Sequence, residues 1–367
     1  MKHDIRSIFA NFNIPGDFVS ASPHGNGHIN DTYAITCDQG ASRLRYIIQR
    51  VNHNVFKDAA SVMKNTARIC RHSRDKLREE GIRDTTRRTL TLVPTNNGAD
   101  WFVDASGNHW RCFLFIERAR SYDIIENTGQ AYEAARTFGT FTRLLADLPG
   151  ERLVEVIPNF HNTRKRYENF QKTLAADSLN RATKVKAEIA FLQQRETDCS
   201  VVVDAIAQGK VPERVTHNDT KLNNILLDDY SQQGLCVIDL DTAMPGSALY
   251  DFGDMVRSAT TPTSEDETDL ARVVCRQEYF EALARGYLDA LGDTLNTEEK
   301  HLLAFSGKLL TLEVGMRFLT DYLAGDTYFK IAHPEHNLER CRNQFALVAS
   351  IERQLDAMNA LVEKLLH

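Results

Sequence analysis

The spacing of apolar residues changes about one third of the way along the chain. Up to about residue 120 the sequence consists mainly of short runs rich in Ile, Tyr and Val, such as 30–37 and 44–51, which flank the polar turn 38–40. Such runs and turns are typical of β-hairpins. From about Asn127 onward the apolar residues recur at the 3.6-residue period of helices. The sequence therefore predicts an α+β fold, with a small β-rich N-terminal lobe and a large, mainly helical C-terminal lobe.

The chain is long enough for two such lobes. Its 367 residues correspond to two domains of about 150 residues or more, and we place the lobes at 1–117 and 118–367. The apolar patterns also predict the main elements within them. Strands are expected at 30–37, 44–51, 89–93, 101–104 and 110–116, and helices at 57–80, 127–148, 163–176, 183–208 and along the apolar stripe 338–365.

Composition narrows the class of protein. Hydrophobic residues make up 42% of the chain, which is ordinary for a protein with a buried core, and 44 basic against 50 acidic residues give a formal net charge of −6. An acidic total argues against nucleic acid as a partner. The longest apolar runs, such as 112–116, are far shorter than the ~20 residues that span a bilayer, so no membrane partner is expected. The seven cysteines are scattered, which favours reduced thiols and a cytoplasmic protein.

A polar motif lies between apolar, strand-like segments of the second lobe. It has the form His217-x-Asp219-x-x-x-x-Asn224, and Asp239 follows it. Transfer of a phosphoryl group needs a carboxylate that accepts the proton of the attacking hydroxyl, and it needs oxygen ligands for Mg²⁺. Asp219 suits the first role. Asn224 and Asp239 suit the second, as metal ligands.

This spacing resembles that of the aminoglycoside phosphotransferase and choline kinase family, which is related to the protein kinases. The resemblance implies a protein-kinase-like two-lobed fold that uses ATP and Mg²⁺. It also implies that the small lobe binds the nucleotide and the large lobe carries the catalytic and acceptor-binding residues. Longer stretches are similar to the branch of the family that phosphorylates N-acetylhexosamines at the anomeric C1 hydroxyl. These stretches are 25–30, 214–226, 238–242, 244–247, 251–254 and 315–319.

A glycine-rich segment in the small lobe is expected to cover the phosphates of ATP, because glycine lets the backbone approach phosphate oxygens closely. The kinase fold usually carries Lys or Arg on the next strand but one. This chain offers Gln49 or Arg50 there; strand alternation directs only one of them to the nucleotide, and the resemblance favours Gln49. A hinge at 115–118 would meet the adenine edge with its backbone. The residues expected to bind the nucleotide are Gly25, Asn26, Gly27, Gln49, Ile116, Glu117 and Arg118.

The acceptor pocket is expected in the large lobe, beside the catalytic base. A sugar needs forked or planar donors for its hydroxyls and its acetamido carbonyl, together with an aromatic wall. The alternative for Arg317 is an ordinary ion pair with a carboxylate such as Glu313 or Asp321. By resemblance, the residues expected to bind the acceptor are His28, Asn30, Asp219, Arg317 and Tyr328.

The segment 251–253 spells Asp-Phe-Gly, the metal-binding tripeptide of protein kinases, but it lies too far along the chain. It begins 32 residues after Asp219, whereas Asp239 lies 20 residues after it, about the separation that protein kinases use. We therefore assign the metal role to Asp239 and expect Asp251 to cap the following helix and brace the loop. Asp241 is left with two roles, contact with a second metal ion or orientation of the loop.

Two other functions are compatible with the sequence. The acceptor could be another small alcohol, namely choline, homoserine, methylthioribose or an aminoglycoside, although Arg317 would repel a cationic acceptor. The missing phosphate-clamp lysine would also suit a non-catalytic nucleotide-binding regulator, against which the intact Asp219, Asn224 and Asp239 argue. The expected partners are a small-molecule sugar and ATP. The preferred sugar epimer and the oligomeric state stay open, and a monomer is compatible with the sequence.

Overall fold

The computed structural model describes residues 3–25 and 29–367. Its strands, numbered along the chain, are β1 (Asp17–Pro23), β2 (Asp31–Asp38), β3 (Arg43–Arg50), β4 (Phe102–Val103), β5 (His109–Leu114), β6 (Ala119–Arg120), β7 (Arg214–Thr216), β8 (Ile225–Asp228), β9 (Gly234–Val237) and β10 (Met244–Gly246). Its helices are α1 (Ile5–Phe9), α2 (Ala59–Glu79), α3 (Thr85–Arg88), α4 (Thr128–Leu144), α5 (Thr163–Ala176), α6 (Lys186–Gln193), α7 (Asp198–Ala207), α8 (Ala248–Ala259), α9 (Gln277–Leu291), α10 (Thr297–His301), α11 (Leu303–Ala324), α12 (His336–Glu352) and α13 (Leu355–Leu365).

The first five strands form one sheet in the order β1-β2-β3-β5-β4, with antiparallel neighbours throughout. The turn between β2 and β3 is the predicted polar one, in which the Asp38 carboxylate accepts a hydrogen bond from the backbone N–H of Gly40. The strand predicted at 89–93 is wrong, because the helical turn α3 extends to Arg88 and Thr89 is its C-cap. Of that segment only Leu92 forms a bridge, opposite Phe113.

The two faces of the sheet have different chemistry. On one face, alternate residues of β2 and β3, such as Ile35 and Ile48, pack with α1 in a single apolar cluster. This alternation follows from the two-residue period of strands. On the other face, Thr32 lies opposite Gln49, and Gln49 lies opposite Arg111. That row of polar side chains runs across three strands.

The chain divides into two compact units. The first, which we call the sheet unit, comprises Met1–Arg120, Leu144–Pro158 and Leu226–Met244. The second, the helical unit, comprises Ser121–Arg143, Asn159–Ile225 and Pro245–His367. Besides the five-stranded sheet, β6, β8 and β9 form a three-stranded sheet, and β7 pairs with β10.

The helix α11 is the central element of the helical unit, where it packs against α5, α8 and α12. Glycines allow the contact with α8 to be close. A Cβ on Gly253 would lie 2.3 Å from the carbonyl oxygen of Ser306, and one on Gly307 would lie 2.6 Å from Val256 Cγ1. These distances leave no room for a methyl group, so the sequence needs glycine at both positions.

Two long helical predictions prove to be pairs of helices. The segment 183–208 contains α6 and α7, because the chain tightens after α6 into turns such as Arg195 N–H to Leu192 O. The apolar stripe 338–365 contains α12 and α13, which are separated at Gln354, whose side chain donates to backbone oxygens instead of facing solvent. Within residues 3–25 and 29–367, no helix is long and apolar enough to cross a membrane. All seven cysteines are buried and free.

Candidate active site

The loop after β7 contains a residue with an unusual backbone conformation, and a side chain of α8 fixes this part of the loop. Asn218 adopts the left-handed conformation, with φ +64°, which asparagine tolerates better than most residues. The Asp251 carboxylate accepts hydrogen bonds from the backbone N–H groups of His217, at 2.9 Å, and of Asn218, at 2.7 Å. The predicted bracing role of Asp251 is confirmed. The predicted capping role is wrong, because Ser247 caps α8 and Asp251 lies inside that helix.

Asp219 follows this strained residue and is surrounded by donors. Its Oδ1 lies 3.0 Å from the ammonium group of Lys221. The side-chain amide of Asn224 donates to the Asp219 carbonyl at 2.8 Å and to Oδ2 at 3.1 Å. The structure therefore brings two of the predicted site residues, Asp219 and Asn224, into direct contact. Lys221 was not predicted, although it lies within the same motif.

The charges around Asp219 keep it ionised. Burial alone would favour the neutral acid, but the nearby Lys221 ammonium holds the pKa of Asp219 below its ordinary value. Asp219 in turn raises the pKa of Lys221. An aspartate with a low pKa is a weak base. It is therefore better suited to orienting a hydroxyl, and to taking the proton late in a loose transition state, than to removing it beforehand.

Burial also shifts the pKa of the bracing carboxylate, in the opposite direction. Asp251 is fully buried, and this burial raises its pKa to about 6, although His217 and the two backbone N–H donors act against the shift. The brace is thus ionised at neutral pH and becomes protonated under mildly acidic conditions.

The two predicted metal ligands offer the oxygen atoms that a hard cation prefers. Asn224 is buried, and since its amide nitrogen donates to Asp219, its oxygen is directed away from that residue. Asp239, in the sheet unit, is exposed and adopts the left-handed conformation, with φ 57°. A strained aspartate at the end of a buried strand is typical of a functional position. The donor set of each residue fits Mg²⁺.

The sheet unit carries an arginine that the sequence did not single out. Arg111, on β5, donates to the Gln49 side-chain oxygen at 2.9 Å and lies 2.6 Å from the carboxylate of Asp241. Gln49 in turn donates to the Thr32 hydroxyl at 2.8 Å. The predicted clamp position on β3 is therefore occupied by an amide that contacts a buried cation on the neighbouring strand. Arg50 lies on the opposite face and pairs with Asp31.

Asp241 also contacts a residue predicted to bind the acceptor. The side-chain amide of Asn30 donates to Asp241 at 2.6 Å, and its oxygen accepts from the backbone N–H of Asn52 at 3.0 Å. Gly25 has a positive φ of 77°, and a Cβ there would meet nothing within 4 Å. The remaining members of the glycine-rich segment, Asn26, Gly27 and His28, lie outside the described residues.

The three predicted hinge residues have separate surroundings within the sheet unit. Ile116 packs in an apolar cluster with Leu235 and Cys236. The Glu117 side chain accepts a hydrogen bond from Arg45 at 2.9 Å. Arg118 is left-handed, with φ 54°. Arg118 directly precedes β6, whereas β5 ends four residues earlier, at Leu114. Their proposed contact with adenine stays a prediction.

Arg317 and Tyr328 lie together in the helical unit. The Arg317 guanidinium carbon is 5.9 Å from the centre of the Tyr328 ring, 5.7 Å from that of Phe160 and 5.4 Å from that of Phe329. Tyr328 is two-thirds exposed. Arg317 also lies 4.0 Å from Glu313, so the ion pair that was the alternative to sugar binding is present alongside the aromatic contacts.

The second carboxylate considered for Arg317 has a different role. Asp321 accepts hydrogen bonds from the backbone N–H groups of Thr327, Tyr328 and Phe329. It therefore fixes the loop that carries the aromatic rings. The arrangement combines a forked cationic donor with exposed aromatic surface, which suits an uncharged, hydroxyl-rich ligand.

The family of the chain follows from comparison with known proteins. The sequence model of the phosphotransferase enzyme family, abbreviated APH, matches residues 20–298. The chain therefore belongs to this family. The motif from His217 to Asn224 lies within the matched region.

Solved structures share the fold along nearly the whole chain. An aminoglycoside phosphotransferase from Alicyclobacillus acidocaldarius superposes with a TM-score of 0.59 at 12% identity, covering 96% of each chain. A spectinomycin phosphotransferase in complex with ADP and spectinomycin gives 0.51 at 14% identity, covering 93% of this chain and 94% of the other. Choline kinase from Cryptosporidium parvum gives 0.52 at 13% identity, covering 95% and 93%. The predicted protein-kinase-like fold is confirmed.

Proposed function

We propose that this protein is an ATP- and Mg²⁺-dependent kinase that phosphorylates the C1 hydroxyl of an N-acetylhexosamine, GlcNAc or GalNAc, to give the sugar 1-phosphate. The observation that carries this proposal is the position of Arg317 among three aromatic rings, in the same unit as Asp219. The guanidinium offers a fork for hydroxyl and acetamido oxygens. It would repel choline or an aminoglycoside, both of which are cationic.

The proposed reaction is an in-line phosphoryl transfer. The C1 hydroxyl oxygen forms a bond to the γ-phosphorus, the bond from that phosphorus to the β–γ bridging oxygen breaks, and ADP leaves. The hydroxyl proton passes to Asp219. Lys221, 3.0 Å from Asp219 Oδ1, places positive charge close to the transferred group. Positioning and charge neutralisation are the main sources of acceleration in this chemistry.

Asn224 and Asp239 are the proposed ligands of Mg²⁺, which neutralises charge on the phosphate oxygens when it is bound. The hydrogen bond from the Asn224 amide to Asp219 supports this assignment, because it orients the Asn224 oxygen and holds the two side chains next to each other. Asp239 is supported by its exposed carboxylate and left-handed backbone.

ATP is the proposed phosphoryl donor. A relative of the same fold, spectinomycin phosphotransferase, forms a complex with ADP, which supports a nucleotide substrate. The proposed contacts are those expected from the sequence: the glycine-rich segment at the phosphates and the backbone of the hinge at the adenine. The nucleotide contacts that we propose are Gly25, Asn26, Gly27, Gln49, Ile116, Glu117 and Arg118, and the acceptor contacts are His28, Asn30, Asp219, Arg317 and Tyr328.

A panel of acceptors tests the proposal. ATP consumption is measured with GlcNAc, GalNAc, glucose, choline and kanamycin, and the product is examined by phosphorus NMR for a phosphate on C1. We expect turnover with the N-acetylhexosamines. Asp219→Asn should lower kcat by at least about a hundredfold with nucleotide binding retained, whereas the exposed control Asp293→Asn should not change it. Nucleotide binding without turnover of any acceptor would instead indicate a regulator.

A further inference from the structure

A buried histidine outside the sequence motif contacts the loop 217–224, which carries Asp219 and is called the catalytic loop below. His161 lies just before α5 in the helical unit and is only 8% exposed. Its ring packs against the ring of Phe160, at 4.5 Å between centres, and that of Tyr250, at 5.3 Å. The reaction proposed above does not use this residue, although its ring contacts a carboxylate and the backbone of the residue before Asp219.

The two ring nitrogens of His161 each face an acceptor. Nδ1 lies 3.1 and 3.2 Å from the two carboxylate oxygens of Glu313, and Nε2 lies 3.0 Å from the backbone carbonyl oxygen of Asn218. A carbonyl and a carboxylate can only accept hydrogen bonds. Both nitrogens must therefore carry a proton for both contacts to form, so the geometry selects the imidazolium.

The surrounding charges agree with this protonation state. Burial acts to lower the pKa of His161, but Glu313 and the Asn218 carbonyl outweigh it and raise that pKa above its ordinary value. Burial acts to raise the pKa of Glu313, but His161 and Arg317 outweigh it and hold that pKa below its ordinary value. The charged and titratable groups that interact with the ring or with Glu313 include Arg317 from α11, Arg166 from α5, and Tyr250, Asp251 and Asp254 from α8.

The Asn218 carbonyl is a sensitive point for such a contact. It belongs to the same peptide group as the backbone N–H of Asp219, which donates to His217 Nδ1 at 3.3 Å. On the other side of Asn218, its own N–H donates to Asp251. The strained residue before the catalytic base is thus held from both sides, by Asp251 at its N–H and by His161 at its carbonyl.

We propose that His161 is a positioning residue, which as an imidazolium fixes the peptide group ahead of Asp219 and links the catalytic loop to the Glu313–Arg317 pair. The link to the acceptor rests on the proposed function, since Arg317 is one of the residues proposed to bind the sugar. Loss of the proton from His161 removes one of its two hydrogen bonds and frees the peptide group of Asn218. Activity therefore falls on the alkaline side.

Three variants of the full chain test this role. His161→Gln removes the imidazolium, and Glu313→Gln removes the carboxylate that stabilises it. His336→Gln is the matched control, because His336 is equally buried and faces the carboxylate of Asp266 at 2.9 Å, outside the catalytic loop. The pH dependence of kcat, the KM for ATP and the thermal midpoint are measured for each variant.

We expect His161→Gln to lower kcat by about 10-fold to 100-fold, with the KM for ATP unchanged and without an alkaline fall of kcat. In Glu313→Gln the alkaline fall should move to lower pH, toward the ordinary pKa of imidazole. His336→Gln should keep the wild-type profile. An alkaline fall that persists unchanged in His161→Gln, or an unchanged kcat, would overturn the proposal. If His161→Gln does not fold, the profile of Glu313→Gln decides.

A second readout needs no acceptor and therefore separates this proposal from the proposed function. In an NMR titration, the His161 ring and the backbone amide of Asp219 should shift together with one apparent pKa above that of free imidazole. If no sugar is phosphorylated but the two signals titrate together, the proposed function fails and the positioning role stands. If sugar is phosphorylated but the NMR signal of the Asp219 amide does not shift as His161 titrates, the positioning role fails.

Discussion

The guanidinium of Arg111 lies 2.6 Å from the carboxylate of Asp241, and both side chains are at most 3% exposed. Burying two charges costs several kcal/mol for each ion, which close pairing and additional hydrogen bonds must offset. Here Gln49 accepts from Arg111, and Asn30 donates to Asp241. Every member of this network lies in the sheet unit. Of the two roles expected for Asp241, the contacts favour orientation of the loop that follows Asp239.

Removing one charge of this pair should be far more costly than removing both. Arg111→Met leaves the Asp241 carboxylate buried without its cation, so we expect the free energy of unfolding to fall by about 3–5 kcal/mol. The double variant Arg111→Met, Asp241→Asn should recover most of that loss. Urea denaturation followed by circular dichroism measures both.

The control for this prediction is an exposed pair in the same unit. Arg45 pairs with Glu117, and the two side chains are 43% and 54% exposed, so Arg45→Met should cost less than about 1 kcal/mol. Equal losses for Arg111→Met and Arg45→Met would contradict the prediction. So would a double variant that is no more stable than Arg111→Met alone.

The raised pKa of Asp251 gives a second prediction, with opposite signs for activity and stability. The buried carboxylate has a pKa of about 6 in the folded protein, against about 3.9 in an unfolded chain. As the pH falls below 6, Asp251 takes up a proton and becomes a poorer acceptor for the backbone N–H groups of His217 and Asn218. We expect kcat to fall on the acidic side with an apparent pKa near 6, since the lowered pKa of Asp219 places its own titration further down.

The contribution of Asp251 to the free energy of unfolding has the opposite pH dependence. Because its pKa is raised in the folded state, that contribution is fully present below the unfolded pKa and is lost as the pH rises through about 6. Asp251→Asn should therefore abolish the acidic limb of kcat, and it should flatten the pH dependence of unfolding between pH 4 and 6 relative to wild type. Retention of an acidic limb near 6 in that variant would assign the limb to another group.

Local patterns predicted the hairpin of β2 and β3 and singled out Asp219 and Asn224, whose catalytic and metal-binding roles stay predictions. The alternation of buried and less buried residues in β2 and β3 could be predicted, because one face of each strand packs on α1 and buried residues therefore recur at every second position. Asp219 and Asn224 were readable because their spacing is set by one short loop, which places the Asn224 amide 3.1 Å from the Asp219 carboxylate.

Contacts between distant segments could not be predicted in the same way. Arg111 stands within a strand that is otherwise apolar, and only the tertiary fold brings Asp241 to it. His161 likewise has no neighbour in sequence that indicates its role. The capping error at Asp251 has a local cause: Ser247 is a good N-cap four residues earlier, which puts Asp251 inside α8 and directs its carboxylate to the loop.

Two glycines allow a final prediction that separates activity from stability. A Cβ on Gly246 would lie 2.3 Å from Thr216 Oγ1 and 2.6 Å from Asn218 Oδ1, two atoms that are joined by a 3.0 Å hydrogen bond. A Cβ on Gly286 would lie 2.2 Å from the carbonyl oxygen of Tyr132, at the contact of α9 with α4. Each substitution to alanine overpacks a tightly packed contact, at a cost of about 1–3 kcal/mol. Gly246→Ala also displaces Asn218, the residue before Asp219, and should therefore lower kcat by about tenfold or more. Gly286→Ala should lower the midpoint temperature of thermal unfolding with kcat unchanged. Steady-state kinetics and thermal melts of the two variants check this, and equal kcat values for both would show that the loop does not depend on the packing of Asn218.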